Sequence, residues 1–203
     1  MKSLSDAKML GGIGSILLLV GAPIPQIGLV VAMVGLILQF IAVKQISEHV
    51  NEKSIFSNYL INFIFGILAF ASLILIMITT IGSLGGLTYF TSLEGLDAAN
   101  PGEILSYLSP FLSGCLIALV VVWILSILGA IYLRKSYDDI AKHTKVESFK
   151  TTGFLYLLGT ATIIIVIGVF IIFIARIFEI ISYFNLPDSV PTNNTENIEI
   201  PNQ

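Results

Sequence analysis

Nine of the ten Lys/Arg residues lie in three short stretches that separate long apolar runs. Lys2 and Lys8 precede the first run, Lys44 and Lys53 follow the second, and Arg134, Lys135, Lys142, Lys145 and Lys150 fall between the fourth and the last. The other large gap, 83–108, carries Glu94, Asp97 and Glu103 and no basic residue. Lys and Arg accumulate in the cytoplasmic loops of membrane proteins. The sorting therefore implies a chain that crosses a membrane several times, with its N-terminus and both basic loops inside. Arg176 is the one basic residue outside the pattern.

Composition agrees. Of 203 residues, 56% are hydrophobic and 11% charged, against roughly 25% charged in soluble domains. A core of this size cannot bury so much apolar side chain, so lipid has to solvate much of it. No basic domain suggests nucleic acid as a partner. The single cysteine, Cys115, rules out an internal disulfide and any multi-cysteine metal site; inside an apolar run it reads as a small packed hydrophobe. Lys2 and Lys8 before apolar sequence look like a signal peptide, but no A-x-A-like cleavage site follows, so the run reads as a retained helix.

The apolar runs predict an all-α transmembrane helix bundle with helices at about 6–22, 25–45, 55–82, 110–135, 145–167 and 168–185. Pro23 and Pro25 break the first run from the second and set up a helical hairpin. Its first arm is short for a bilayer. Asn100-Pro101-Gly102-Glu103 has the residue order of a helix start. Ser109-Pro110 then predicts a fresh start, leaving a short interfacial helix at 101–108 within an outer loop, 83–109. Thr144-Lys145-Val146-Glu147 reads as a capping box for the next helix.

The last run, 151–185, is too long for one crossing: as a single helix it extends ~52 Å against a hydrocarbon core of ~30 Å. It either folds back near Gly168, giving six crossings with the N-terminus cytoplasmic, or crosses once and continues from Arg176 as an outer interfacial helix, giving five. Internal echoes favour the fold-back. Gly28 is followed eleven residues later by Gln39, and Gly168 eleven later by Glu179; Phe56 and Gly66 are spaced like Phe149 and Gly159. The tail from 186 is polar, with the sequon Asn193-Asn194-Thr195, and reads as disordered.

Ionisable and amide side chains in lipid need a partner or water, which makes them functional candidates. Here they are Gln39, Asn62, Arg176 and Glu179. Arg176 and Glu179 are three apart on one helix and can pair; Asn62 and Gln39 suit hydrogen bonds between helices. His49 and His143 lack companions at metal-ligand spacing. Gly11-Gly12-Ile13-Gly14 is no phosphate loop, because no Lys-Ser/Thr follows it. No nucleophile turn and no paired carboxylates stand in the apolar helices. The expectation is a protein without catalytic, cofactor or metal residues.

Ala7-Lys8-Met9-Leu10-Gly11-Gly12-Ile13-Gly14, the Pro-broken hairpin, Ser54-Ile55-Phe56, Arg134-Lys135-Ser136-Tyr137 and Phe149-Lys150-Thr151-Thr152-Gly153 together resemble an uncharacterised, mainly archaeal family of multi-pass membrane proteins, domain of unknown function 996. The likeness spans about residues 7–184. These are packing motifs and imply no activity. Some members carry a zinc-binding cysteine tail, which the resemblance places in the cytoplasm and which implies an even number of crossings. The tail here has no cysteine, and Arg176 stands where the family pattern implies an aromatic or apolar residue.

The functional expectation is a non-enzymatic structural, assembly or regulatory component of the cell membrane. Arg134, Lys135, Lys142, Lys145 and Lys150 would dock a cytoplasmic protein or anionic lipid headgroups. The alternative is a small transporter or channel whose polar path brings Gln39, Asn62, Arg176 and Glu179 to one water-accessible cavity.

Overall fold

A computed structural model describes residues 4–21, 24–86, 88–92 and 100–188. The tail from 189, with the sequon at Asn193 and the expected disorder, lies outside the described residues, as does the acidic stretch 93–99. The helices are α1 (Leu4–Gly21), α2 (Gly28–His49), α3 (Lys53–Ser83), α4 (Thr88–Thr91), α5 (Pro101–Thr144), α6 (Ser148–Ala161) and α7 (Ile167–Phe184). No strand occurs among the described residues. Five helices, α1, α2, α3, α5 and α7, are long and apolar enough to cross a membrane. Of the six helices expected to cross, α6 falls short, with 14 residues.

The last run breaks where the echo places it. A single 3-10 turn, Ile163–Ile165, separates α6 from α7, and α7 continues unbroken through Arg176. No separate helix begins at Arg176, which lies within α7. Small residues make the turn tight: a Cβ on Gly168 would lie 2.1 Å from the Gly159 carbonyl oxygen. The first hairpin closes the same way, with a Cβ on Gly28 2.2 Å from the Gly21 oxygen.

Two local expectations are corrected. Pro110 does not start a helix; it lies inside the 44-residue α5. Proline removes the N–H that would bond the Ser106 carbonyl. The Ser109 hydroxyl donates to that carbonyl instead, at 3.1 Å, and such hydroxyl bonds let apolar helices tolerate proline. The capping box at Thr144 also fails. The Thr144 hydroxyl turns back to the Ile140 carbonyl at 2.8 Å, which makes Thr144 the end of α5. Lys145 then takes the left-handed conformation, φ 61°, and α6 starts at Ser148.

The chain forms two compact units: residues 1–56, 136–152 and 173–203, and residues 57–135 and 153–172. In the first, α1 and α2 pack through glycines, with a Cβ on Gly14 falling 2.7 Å from the Gly35 oxygen. Phe149 lies edge-on between Tyr137 and Tyr183, at 5.6 and 5.2 Å between ring centres. In the second, Thr80 presses on Gly114 and Asn62 on Gly129. Tyr89 and Tyr107 stack at 4.6 Å and each hydroxyl donates to the other's carbonyl at 2.7 Å.

Candidate functional site: a sealed carboxylate knot

The first unit contains a polar cluster in an otherwise apolar setting. Its centre is Glu179 on α7. The period of that helix puts Ala175, Glu179, Ser182 and Tyr183 on one buried face. Oε1 of Glu179 accepts from the Gln39 side-chain N–H at 2.7 Å and from the Tyr137 hydroxyl in a short bond. Oε2 accepts from the Arg176 guanidinium at 2.7 Å. The Gln39 amide also donates to the Ser15 hydroxyl at 2.8 Å, and Ser15 donates to the Gly11 carbonyl at 2.9 Å. Three helices, α2, α5 and α7, meet on one carboxylate, and α1 joins them through the Ser15–Gln39 bond.

Glu179, Gln39 and Tyr137 are each 1% exposed and Ser15 is 0% exposed. The Arg176 side chain is 28% exposed, so its charge reaches the edge of the knot. Desolvating a carboxylate costs several kcal/mol; charge-assisted bonds, about twice as strong as neutral ones, offset that. Glycines make the room. A Cβ on Gly14 would meet the Gln39 side chain at 3.1 Å, and one on Gly11 would enter the Tyr183 ring.

Three of the four candidate intramembrane residues, Gln39, Arg176 and Glu179, are therefore brought together. Asn62 belongs to the second unit. There it lines a cavity of about 200 Å³ with Ser126, Tyr156 and Thr160. Ser15 and Tyr137 were missed as members of the knot. Ser15 reads as a small hydroxyl bonded to its own helix, which it also is. Tyr137 reads as part of the apolar face it shares with Ile140 and Ala141. The available signal was a phenol on that otherwise apolar, buried face, since a buried phenol requires an acceptor.

The basic candidates also divide. Arg134 lies over the Phe154 ring at 5.5 Å and Lys135 over the Tyr132 ring at 4.9 Å, both in the second unit. Lys142, Lys145 and Lys150 belong to the first unit and line a cavity of about 420 Å³ with Asp138, Ala141 and Glu147. At the nearby turn, Ser54 donates its backbone N–H to Glu52 at 3.2 Å and its hydroxyl to Asp139 at 2.7 Å. The backbone bond from Ser54 holds the Glu52 carboxyl below the usual carboxylate range.

Helix length, apolarity and a satisfied buried carboxylate together define an all-α transmembrane protein. The family model of DUF996, described as a protein of unknown function, matches residues 31–177. The uncharacterized protein MJ1644 of Methanocaldococcus jannaschii is 33% identical over 192 residues, covering 94% of this chain and 97% of that protein. The chain belongs to the DUF996 family. No solved structure matches.

Proposed function

We propose that the protein is a multi-pass, non-enzymatic structural or assembly component of the cell membrane, with a basic inner face that docks anionic lipid headgroups. The observation that carries this reading is the closure of the knot. A transport path needs its polar groups open to water, whereas Gln39 and Glu179 are 1% exposed and hydrogen-bonded to each other, with Ser15, Tyr137 and Arg176 as further partners. A locked carboxylate holds α2, α5 and α7 in register, and Ser15 ties α1 to them through Gln39. The N-terminus, residues 44–53 and residues 134–150 then face the cytoplasm, and the fold-back of the last run supports an even number of passages.

The docking surface narrows to Lys142, Lys145 and Lys150. Lys142 lies in the last turn of α5, Lys145 in the turn that follows and Lys150 in the first turn of α6. Each lysine near an anionic surface contributes ~1 kcal/mol. Matching burial supports an internal repeat behind the frame: the buried positions Gly28, Gly35, Gln39 and Val43 recur 140 residues on as Gly168, Ala175, Glu179 and Tyr183. The second echo finds no such support, because Gly66 faces open space while Gly159 packs on Ile172.

The test is thermal unfolding of the purified full chain in neutral detergent with added lipid. Anionic phospholipid should raise the midpoint more than zwitterionic phospholipid, and Lys142→Gln/Lys145→Gln/Lys150→Gln should remove the difference. Equal shifts with both lipids, or an unchanged difference in the triple variant, would refute the docking assignment.

A further inference from the structure

The turn between α6 and α7 is built for hydrocarbon rather than water. Ile163, Ile164, Ile165, Val166 and Ile167 follow one another there, each 40–64% exposed. No charged residue occurs between Lys150 and Arg176, nor between Lys8 and Lys44 in the first hairpin. Its turn is similar in kind: Ile27, Leu29 and Val30 are exposed, and Pro23 and Pro25 carry no backbone N–H.

A helix end in lipid has to satisfy its own carbonyls, since no water is present to do so. The last four of α6 are all served by protein. Leu158 accepts from the Thr162 N–H at 3.1 Å and hydroxyl at 2.8 Å, and Gly159 accepts from the same hydroxyl at 3.4 Å. Thr160 and Ala161 both accept from the Trp123 indole N–H, at 3.1 and 3.2 Å. Trp123 stands midway along the apolar stretch 110–133 of α5, which places the end of α6 at mid-membrane depth.

Helix lengths measured from the knot agree. The Ser136 hydroxyl donates to the Ile55 carbonyl at 2.8 Å, so the base of α3 lies at the level of Tyr137 and the knot. That level is one residue past Lys135, at the inner edge of the apolar run. From Ile55, α3 extends ~42 Å outward at 1.5 Å per residue, more than the ~30 Å hydrocarbon core. From Gln39 back to Gly28, α2 extends only ~17 Å, and from Glu179 back to Ile167, α7 extends ~18 Å.

We propose that α1–α2 and α6–α7 are re-entrant hairpins that enter from the cytoplasmic side and turn inside the hydrocarbon, so that only α3 and α5 cross. The partner of both tips is lipid acyl chain. The six passages expected from the sequence become two, and the sides assigned to all charged loops are unchanged. The inference does not depend on headgroup docking, because it concerns the opposite ends of the hairpins.

The test uses the full chain in vesicles with Cys115→Ala and a single new cysteine: Ile27→Cys or Ile165→Cys at the tips, Glu103→Cys outside, Glu147→Cys inside. A membrane-impermeant maleimide, applied to each face in turn, should label each control from one face only. Both tips should stay below about a tenth of the control level from either face, as hydrocarbon burial requires, and should label fully after detergent denaturation. A nitroxide on the same tip cysteines should collide with oxygen and not with a water-soluble nickel chelate. Labelling of either tip from outside at the Glu103→Cys level, or nickel collision matching that control, would overturn the proposal. Wild-type-like yield and unfolding of the tip variants guards against misfolding as the cause.

Discussion

Replacing Glu179 by alanine removes the acceptor on which α2, α5 and α7 meet. Three donors lose their partner: the Gln39 amide, the Tyr137 hydroxyl and the Arg176 guanidinium. They do not lose equally. Tyr137 is 1% exposed and has no route to water; a buried donor left unsatisfied costs ~1–3 kcal/mol. Gln39 keeps its bond to Ser15, so its loss falls at the low end of that range. Arg176, 28% exposed, can turn toward headgroups, and its contribution is discounted accordingly. The sum for Glu179→Ala is about 2–5 kcal/mol of destabilisation. Tyr137→Phe removes one charge-assisted bond and should cost about 1.5–3 kcal/mol. The double variant should cost less than the sum of the two, because the Tyr137 penalty in Glu179→Ala disappears with the hydroxyl. The assay is equilibrium unfolding of the purified protein in mixed micelles, followed by helical circular dichroism. A Glu179→Ala change under about 0.5 kcal/mol, the size of an ordinary surface substitution, would refute the knot as a structural lock. So would strict additivity of the two variants, since coupled neighbours deviate from it.

Other expectations follow from single contacts. Gly14→Val would drive a Cβ to 2.7 Å from the Gly35 oxygen, so it should destabilise by about 1–3 kcal/mol, seen as a lower unfolding midpoint, whereas Gly66→Ala, facing open space, should leave the midpoint unchanged or slightly raised. Val166 is β-branched and left-handed, φ 65°; Val166→Gly should therefore stabilise by about 1 kcal/mol, and a loss of stability would contradict the turn geometry. Trp123→Phe leaves Thr160 and Ala161 without their donor and should cost about 1–3 kcal/mol, with faster amide exchange at 163–168. The lowered Glu52 carboxyl contributes at and above its ordinary titration range, and that contribution is lost as pH falls through its lower folded value. Amide exchange at Ser54, corrected for intrinsic rate, should rise as pH falls below the ordinary carboxylate range and should not change between about pH 6 and 8.

Part of this was legible in the residues alone. Apolar length and sorted charge depend only on composition along the chain, and they yielded the helices and the membrane. Pro23 and Pro25 announced the first hairpin, because proline acts on its own backbone and its neighbour's. The fold-back near Gly168 was read from an echo in spacing. Pro110 misled for a definite reason: its effect depends on whether a neighbouring hydroxyl accepts responsibility for one carbonyl, and Ser109 does so in three dimensions.

The sequence by itself determined that Gln39, Arg176 and Glu179 would each require a polar partner in an apolar setting. Only the tertiary structure decided which partners they found. It joined Gln39 to Glu179 across 140 residues, added Ser15 and Tyr137, and assigned Asn62 to the other compact unit. Helix periodicity specifies which face a side chain occupies; it carries no information about which helix will face it. Within one helix the three-residue spacing of Arg176 and Glu179 permitted their pairing. Between helices, depth and rotation decide the match, and those follow from where glycines let backbones approach.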